Sequence, residues 1–286
     1  MKSLRGVAVA LLALGAACSQ SEQPPPVVQY DPYAGVAFPS TRAKIPRSKG
    51  DLGLTVDIGS DTITVIDSRA VLPTGSSDPV TISTCIAPHD LALSSPDGRK
   101  AYVACYGEDA IAVVDTTNAS APVLRVTVSG SAGTPGAPTY GPYSIEMSPT
   151  ERLLYVGMSE SKEVRFFDTA TNTFTSVVAP LKGVPGIGTW SDDEGTLYVA
   201  VQSPDALAAI DTKTGDIKQY RAFDGGACLN TRGAIPPSDP TLLYVICEGN
   251  HTDPGWILVV DRATFATKAK HVVGVYPNEL EILGAP

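Results

Sequence analysis

Two stretches of this sequence carry cysteines in one frame. "CIAPHDLALSSPDGRKAYVAC" runs from Cys85 to Cys105, and "CLNTRGAIPPSDPTLLYVIC" from Cys228 to Cys247. Both pass a Pro/Asp turn and close on Leu/Ala-Tyr-Val-x-Cys. Thiols at such positions either ligate a metal or pair as disulfides. Zinc sites are built from closely spaced C-x₂₋₄-C pairs, and none occurs. The C-x-x-C-H needed to attach a c-type haem is also missing. Neither a metal nor a cofactor is therefore expected, and the thiols point to disulfide chemistry. The other groups able to do chemistry stand at the starts of apolar segments: His89 and Asp90, Tyr143 and Glu146, Arg232, Asn278 and Glu279. One His, one Arg and several carboxylates could bind a polar ligand, a cation or a lactone. The alternative is a wet channel lined by polar residues that satisfy one another. His89 next to Asp90 suggests a base and its orienting acid, but neighbouring residues of a strand point to opposite faces, which argues against a dyad. His251 and Trp256 share "EGNHTDPGW", a long turn suited to partner contact. No phosphate cradle, serine nucleophile elbow or zinc-binding helix is present, so no catalytic residue is assigned.

The elements that hold these residues repeat. "LTVDIGSDTITVIDS", "AYVACYGEDAIAVVDTT", "LYVGMSESKEVRFFDTATN", "LYVAVQSPDALAAIDTKTG" and "LYVICEGNHTDPGWILVVDRAT" each read as strand, polar turn, strand and closing aspartate. The closing residues are Asp67, Asp115, Asp168, Asp211 and Asp261, at intervals of 48, 53, 43 and 50. Periods of roughly 40 to 50 residues with several short strands per unit indicate a β-propeller. "TITVIDS" alternates as a half-buried strand does. "GSD", "GED" and "SPD" are hairpin-turn sequences. The repeated Asp is a turn-former, accepting hydrogen bonds from amides of the turn that follows.

These residues resemble the YVTN-type β-propeller repeat family. Tyr-Val recurs at Tyr102, Tyr155, Tyr198 and Tyr244, and "SPDGRKAYVA" and "IAVVDTT" match the family's strand-turn-strand pattern; the resemblance spans residues 51–286. It implies an all-β propeller of four-stranded antiparallel blades. Strands preceding the Tyr-Val strands are read at "PHDLALS", "PYSIEMS", "PGIGTWS", "NTRGAIP" and "PNELEIL", which gives five blades. The first Tyr-Val-like unit lacks a preceding strand, and the last preceding strand lacks a unit. The expectation is a closed ring in which Pro277–Leu283 completes the blade begun at Leu54, removing exposed edges. The family's usual ring has more blades, so an open ring, or two chains sharing one, is the alternative. In this topology the start of each preceding strand lies beside the end of the Tyr-Val strand. Of the three possible pairings, that geometry selects Cys85–Cys105 and Cys228–Cys247.

The chain opens "MKSLRGVAVALLALGAACSQ". Two basic residues precede an apolar run, Val7–Ala17, too short to span a bilayer. With Cys18 the segment resembles a lipoprotein export signal, which implies lipidation at Cys18; ordinary cleavage near Ala17 is the alternative. The count of five cysteines fits, since a lipidated Cys18 leaves four to pair. The expected organisation is signal peptide 1–17, lipidated cysteine and Pro-rich tether 18–50, and propeller 51–286. Ser19 fits outer-membrane sorting, facing the periplasm or the cell surface. The formal net charge of −9 disfavours nucleic acid, whose binding depends on neutralising phosphates. The expected role is that of a monomeric, lipid-anchored cell-envelope module that binds a protein or surface polymer. Two alternatives stay open by resemblance to other propellers: a lactonase- or lyase-like enzyme, and a redox accessory protein.

Overall fold

The computed structural model describes residues 52–67, 79–94, 98–277 and 280. All fall in one compact unit, residues 35–286. Cys18, the signal and tether segments, Asn278 and Glu279 lie outside the described residues.

The protein is a β-propeller. Its first sheet holds β1 (Leu52–Asp57), β2 (Thr62–Asp67) and β3 (Val80–Ser83). The second holds β4 (Pro88–Leu93), β5 (Lys100–Cys105), β6 (Ala110–Asp115) and β7 (Leu124–Thr127). The third holds β8 (Pro142–Met147), β9 (Leu153–Met158), β10 (Glu163–Asp168) and β11 (Thr173–Pro180). The fourth comprises β12 (Val184–Trp190), β13 (Thr196–Gln202), β14 (Ala206–Asp211) and β15 (Ile217–Ala222). The fifth comprises β16 (Thr231–Ile235), β17 (Leu242–Cys247), β18 (Pro254–Asp261) and β19 (Thr267–Val275). Within each blade consecutive strands pair antiparallel. A single parallel bridge, Ile187 to Gly233, joins the inner strands β12 and β16 of the last two blades. These are the five units read from the repeat. The segment expected to add a fourth strand to the first blade is mostly outside the described residues.

Alternation along each strand explains how the blades stack. In β5, Ala101, Val103 and Cys105 pack toward the first blade with Leu54, Ile63 and Leu91, while Tyr102 and Ala104 pack toward the third with Leu154, Val156 and Phe167. A third cluster joins blades three and four, where Trp190 meets Phe166 at 5.7 Å between ring centroids. A fourth, around Leu207, Leu243, Leu258 and Phe265, joins blades four and five. Every described inner blade thus buries both faces, which gives the strands their dense Val/Ile/Ala/Leu composition.

Four of the closing aspartates are turn-formers. Asp115 accepts from the N–H of Thr117, Asp168 from Ala170 and Thr171, Asp211 from Lys213 and Thr214, and Asp261 from Thr264. The threonine that follows three of them also has a fixed task. Thr116, Thr169 and Thr212 donate to the carbonyls of Gly98, Glu151 and Glu194 in the preceding hairpin turn. The Asp-Thr dipeptide of the repeat is therefore scaffold.

Both expected disulfides are formed, Cys85–Cys105 and Cys228–Cys247, with Cα atoms 5.7 and 5.1 Å apart. They indicate an oxidising compartment and thus export. Among the described residues no helix is long and apolar enough to cross a membrane.

Candidate functional site

The inner strands start at one end of the blades, and three of them carry a bulge at the same place. Pairing shifts between Pro88 and Asp90, between Pro142 and Ser144, and between Thr231 and Gly233. The extra residues are His89, Tyr143 and Arg232. A bulge re-aims the side chain it carries, which is how these three leave the blade faces. In the fourth blade the shift falls between Pro185 and Gly188, and Gly186 stands where the other blades carry a large side chain. A Cβ there would lie 2.4 Å from the Arg232 carbonyl oxygen, so only glycine admits this approach. The Gly186 carbonyl is held in turn by the hydroxyls of Tyr155 at 2.6 Å and Ser144 at 3.0 Å.

Arg232 therefore reaches past the fourth blade to the third. Its guanidinium donates to the Tyr143 hydroxyl at 3.1 Å and lies over that ring at 5.6 Å. The His89 ring lies on the other side of the contact chain, 3.8 Å from Tyr143 between centroids. Arg232 Nε is 3.6 Å from Glu248 Oε1, and Glu248 Oε2 is 3.1 Å from His251 Nε2. His251 meets Asn230 at 3.4 Å and the Tyr276 ring at 4.1 Å. At the opposite end, Tyr106 is 6.5 Å from His89 and donates to Glu160 at 2.7 Å. The result is a continuous arc over one end of the inner strands, built from blades two, three and five. Its floor of His89, Tyr143, Arg232 and Glu248 is buried, at 4, 9, 4 and 4% exposure, whereas Tyr106, Asn230, His251 and Tyr276 are half-buried and form the rim.

The protonation states follow from burial and charge. Burial, helped by the Arg232 cation, lowers His89 to about 3, so it is a neutral ring. Burial raises Glu248, against the pull of Arg232 and His251. Asp90 points away from the arc and into the seam between blades two and three. There it accepts from the N–H of Leu91 at 2.8 Å and of Ile145 at 2.9 Å. Burial nevertheless pushes it to about 8. His89 and Asp90 thus serve different surroundings, as the opposed faces of a strand imply. A neutral His89 stabilises the fold above its unfolded value of about 6.5, and that contribution is lost as pH falls toward 3. A raised Asp90 acts in the opposite sense, its contribution being full below about 3.8 and lost as pH rises through 8. Urea midpoints measured across pH are therefore expected to fall less between pH 4 and 8 in Asp90→Asn than in the parent. His89→Gln should flatten the acid side instead. Parallel profiles for parent and variants would refute the assignment.

Hairpin turns of the preceding blades position the arc. Asp61 Oδ1 accepts from the Ala87 N–H at 2.8 Å, Asp109 Oδ1 from Gly141 at 2.9 Å, and Asp205 Oδ1 from Thr231 at 2.7 Å. Each aspartate thus ties its blade to the first residues of the next inner strand, one or two positions before His89, Tyr143 or Arg232. Blade three has Lys162 at this place, and the Tyr155 and Ser144 hydroxyls make the corresponding tie to Gly186. Asp109 does most. It also accepts from the N–H groups of Thr139 and Tyr140, each at 2.9 Å, and from the Ser131 hydroxyl at 2.7 Å. Burial raises its pKa, but these donors prevail and hold it below the usual carboxylate range. The long Gly/Pro connection from Thr127 to Pro142 is therefore clamped by one buried side chain. Asp109→Ala is expected to cost about 3 kcal/mol, the loss of several charge-assisted hydrogen bonds. Amide exchange should accelerate over residues 131–141 with the other blades unchanged; a protected loop would refute the clamp.

Of the residues singled out in the sequence, His89, Tyr143, Arg232 and His251 come together. Asp90 packs behind them in the blade seam. Glu146 is half-buried further along β8, and its carbonyl accepts from the Trp190 indole at 3.3 Å. Trp256 corrects the reading of the last turn. It lies on β18, paired with Cys247, because the turn closes before Pro254. Its indole donates to the Ala227 carbonyl at 2.9 Å, and Lys270 sits 3.7 Å over its ring. Tyr106, Glu160, Glu248 and Tyr276 were not anticipated. Tyr106 and Glu248 each directly follow a paired cysteine, and that adjacency is the signal that marks them.

No family model and no curated protein matches the chain. Its likeness is to solved structures at low identity, which speaks for the fold. Hydrazine synthase from Kuenenia stuttgartiensis superposes with a TM-score of 0.60 at 18% identity, over 79% of this chain and 64% of that one. A structure described as a candidate 6-phosphogluconolactonase from Bacteroides uniformis gives 0.58 at 14% identity, over 80% and 70%. A second so described, from Bacteroides fragilis, gives 0.55 at 17%, over 80% and 69%. The chain spans less than two thirds of the hydrazine synthase chain, and what these comparisons define is the fold, a β-propeller.

Proposed function

We propose that this chain is an exported β-propeller of the YVTN type, lipidated at Cys18 and held in the outer membrane by a Pro-rich tether. As a monomer it binds a protein or a surface polymer on the inner-strand-start face. The observation that carries this reading is the arc itself. Side chains from three blades close on one another around Arg232, with a disulfide beside each end. The buried cation is matched by Glu248 and the histidine beside it is neutral, an arrangement suited to presenting a fixed surface. A second reading is lactone hydrolysis. The Glu248–His251 contact supplies an oriented base, and the lactonase-like neighbours lend it support. Purified protein incubated with sugar and acyl lactones separates the two. Binding predicts no hydrolysis above the buffer rate, together with a stoichiometric partner or polymer on crosslinking in solubilised envelopes. Turnover that is lost in both Glu248→Gln and His251→Ala would establish the enzyme instead.

A further inference from the structure

We propose that the ligand of this face is an uncharged oligosaccharide, seated across the rim between Tyr106 and Tyr276 and above the Arg232–Tyr143–His89 floor. The inference rests on the binding reading above and narrows it to one ligand chemistry.

The charges argue first. The one cation of the floor is already matched by Glu248 at 3.6 Å. The rim adds the exposed carboxylate of Glu160, and the chain as a whole is at −9. An anionic polymer would meet like charge at the rim with no unmatched floor cation to offset it. The apolar inventory argues next. The large hydrophobic side chains exposed among the described residues are Ile66, Val80, Leu124, Ile217, Leu229, Val272 and Val275. Ile66, Val80, Leu124 and Ile217 lie on β2, β3, β7 and β15, away from the arc, whereas Leu229 and Val275 directly precede the rim residues Asn230 and Tyr276, and Val272 pairs with Trp256 on the outermost strand, β19. A protein interface needs a desolvated apolar centre with large anchors, whereas the exposed aliphatic side chains here, Leu229 and Val275, are smaller than such anchors and stand beside one end of the arc.

What the rim does offer is aromatic faces beside hydrogen-bonding groups. Tyr106 carries its hydroxyl on Glu160, and Tyr276 stands edge-to-face against His251. A neutral sugar has the matching character: C–H faces that pack on a ring, and hydroxyls that both donate and accept. Carboxylate oxygens, such as those of the exposed Glu160, accept from such hydroxyls. The tyrosine rings are already fixed by these contacts, so little side-chain freedom is lost on binding.

The test uses the full-length protein on an array of immobilised neutral oligosaccharides, with uronic-acid and sulfated glycans alongside. Dissociation constants are then measured by calorimetry on the best ligand. Retention of neutral glycans is expected, insensitive to salt. Tyr106→Ala and Tyr276→Ala should each weaken it about tenfold, the weight of one aromatic contact. Tyr106→Phe keeps the ring and should keep most of the affinity, which separates stacking from a folding defect; near-ultraviolet circular dichroism checks the fold. Binding of the charged glycans in preference, or equal loss in Tyr106→Phe and Tyr106→Ala, would overturn the proposal. If no glycan binds while a defined protein partner is crosslinked to this face, the saccharide inference fails and the binding reading stands. If neither occurs, both fail.

Discussion

Replacing Arg232 by alanine is expected to lower folding stability by about 3–5 kcal/mol, because it leaves Glu248 buried without its cation. The two side chains are only 5% and 6% exposed, so water cannot take over the pairing. Loss of Arg232 also removes the donor to Tyr143 and the cation over its ring. The cost reflects a buried carboxylate left with His251 alone more than the net value of the pair. The double variant Arg232→Met/Glu248→Gln should therefore recover most of the loss, since an uncharged pair has far less to desolvate. An exposed pair provides the contrast. Lys268 and Asp261 are 3.2 Å apart, but the lysine is 55% exposed, and Lys268→Ala should change stability by less than about 1 kcal/mol. Urea unfolding of the four proteins checks this. An Arg232→Ala loss no larger than that of Lys268→Ala would show that the arc contributes little to holding blades three and five.

The second large effect is expected from the disulfides. Each closes a short loop, with sequence separations of 20 and 19, for which loop-closure entropy gives roughly 3 kcal/mol per bridge. Alanine is the right replacement, because all four cysteines are buried, at 3, 0, 0 and 0% exposure, and serine would leave a hydroxyl in an apolar site. The bridges sit in separate blades, so their losses should add. Their local effects should differ. Without Cys228–Cys247, amide exchange should rise around Asn230–Arg232 and Glu248–His251. Without Cys85–Cys105 it should rise around Pro88–His89 and Tyr106. A loss of under 1 kcal/mol per bridge, or an identical exchange pattern in the two variants, would contradict this.

Much of the architecture was legible in the chain because it depends on local, repeated physics. Two-residue alternation, turn sequences and the spacing of Asp67, Asp115, Asp168, Asp211 and Asp261 define strands, hairpins and blades without reference to distant residues. The disulfide pairing followed, since antiparallel neighbours bring one strand's start to the other's end. His89, Tyr143 and Arg232 were visible as polar residues at strand starts. Their convergence was not, because it depends on three bulges and on a glycine in the intervening blade that lets Arg232 pass. Nor could the sequence separate the turn aspartates by task. Asp115 and Asp109 both look like turn residues, yet the first serves its own turn and the second clamps the next blade's loop. Trp256 was misplaced by the length of its turn, which pairing with Cys247 ends sooner. The sequence by itself determined the blade repeat and the covalent pairing, which arise from contacts close along the chain. Only the tertiary structure decided which side chains meet over the inner strands, because those contacts join residues up to two blades apart, where spacing along the chain carries no information about distance.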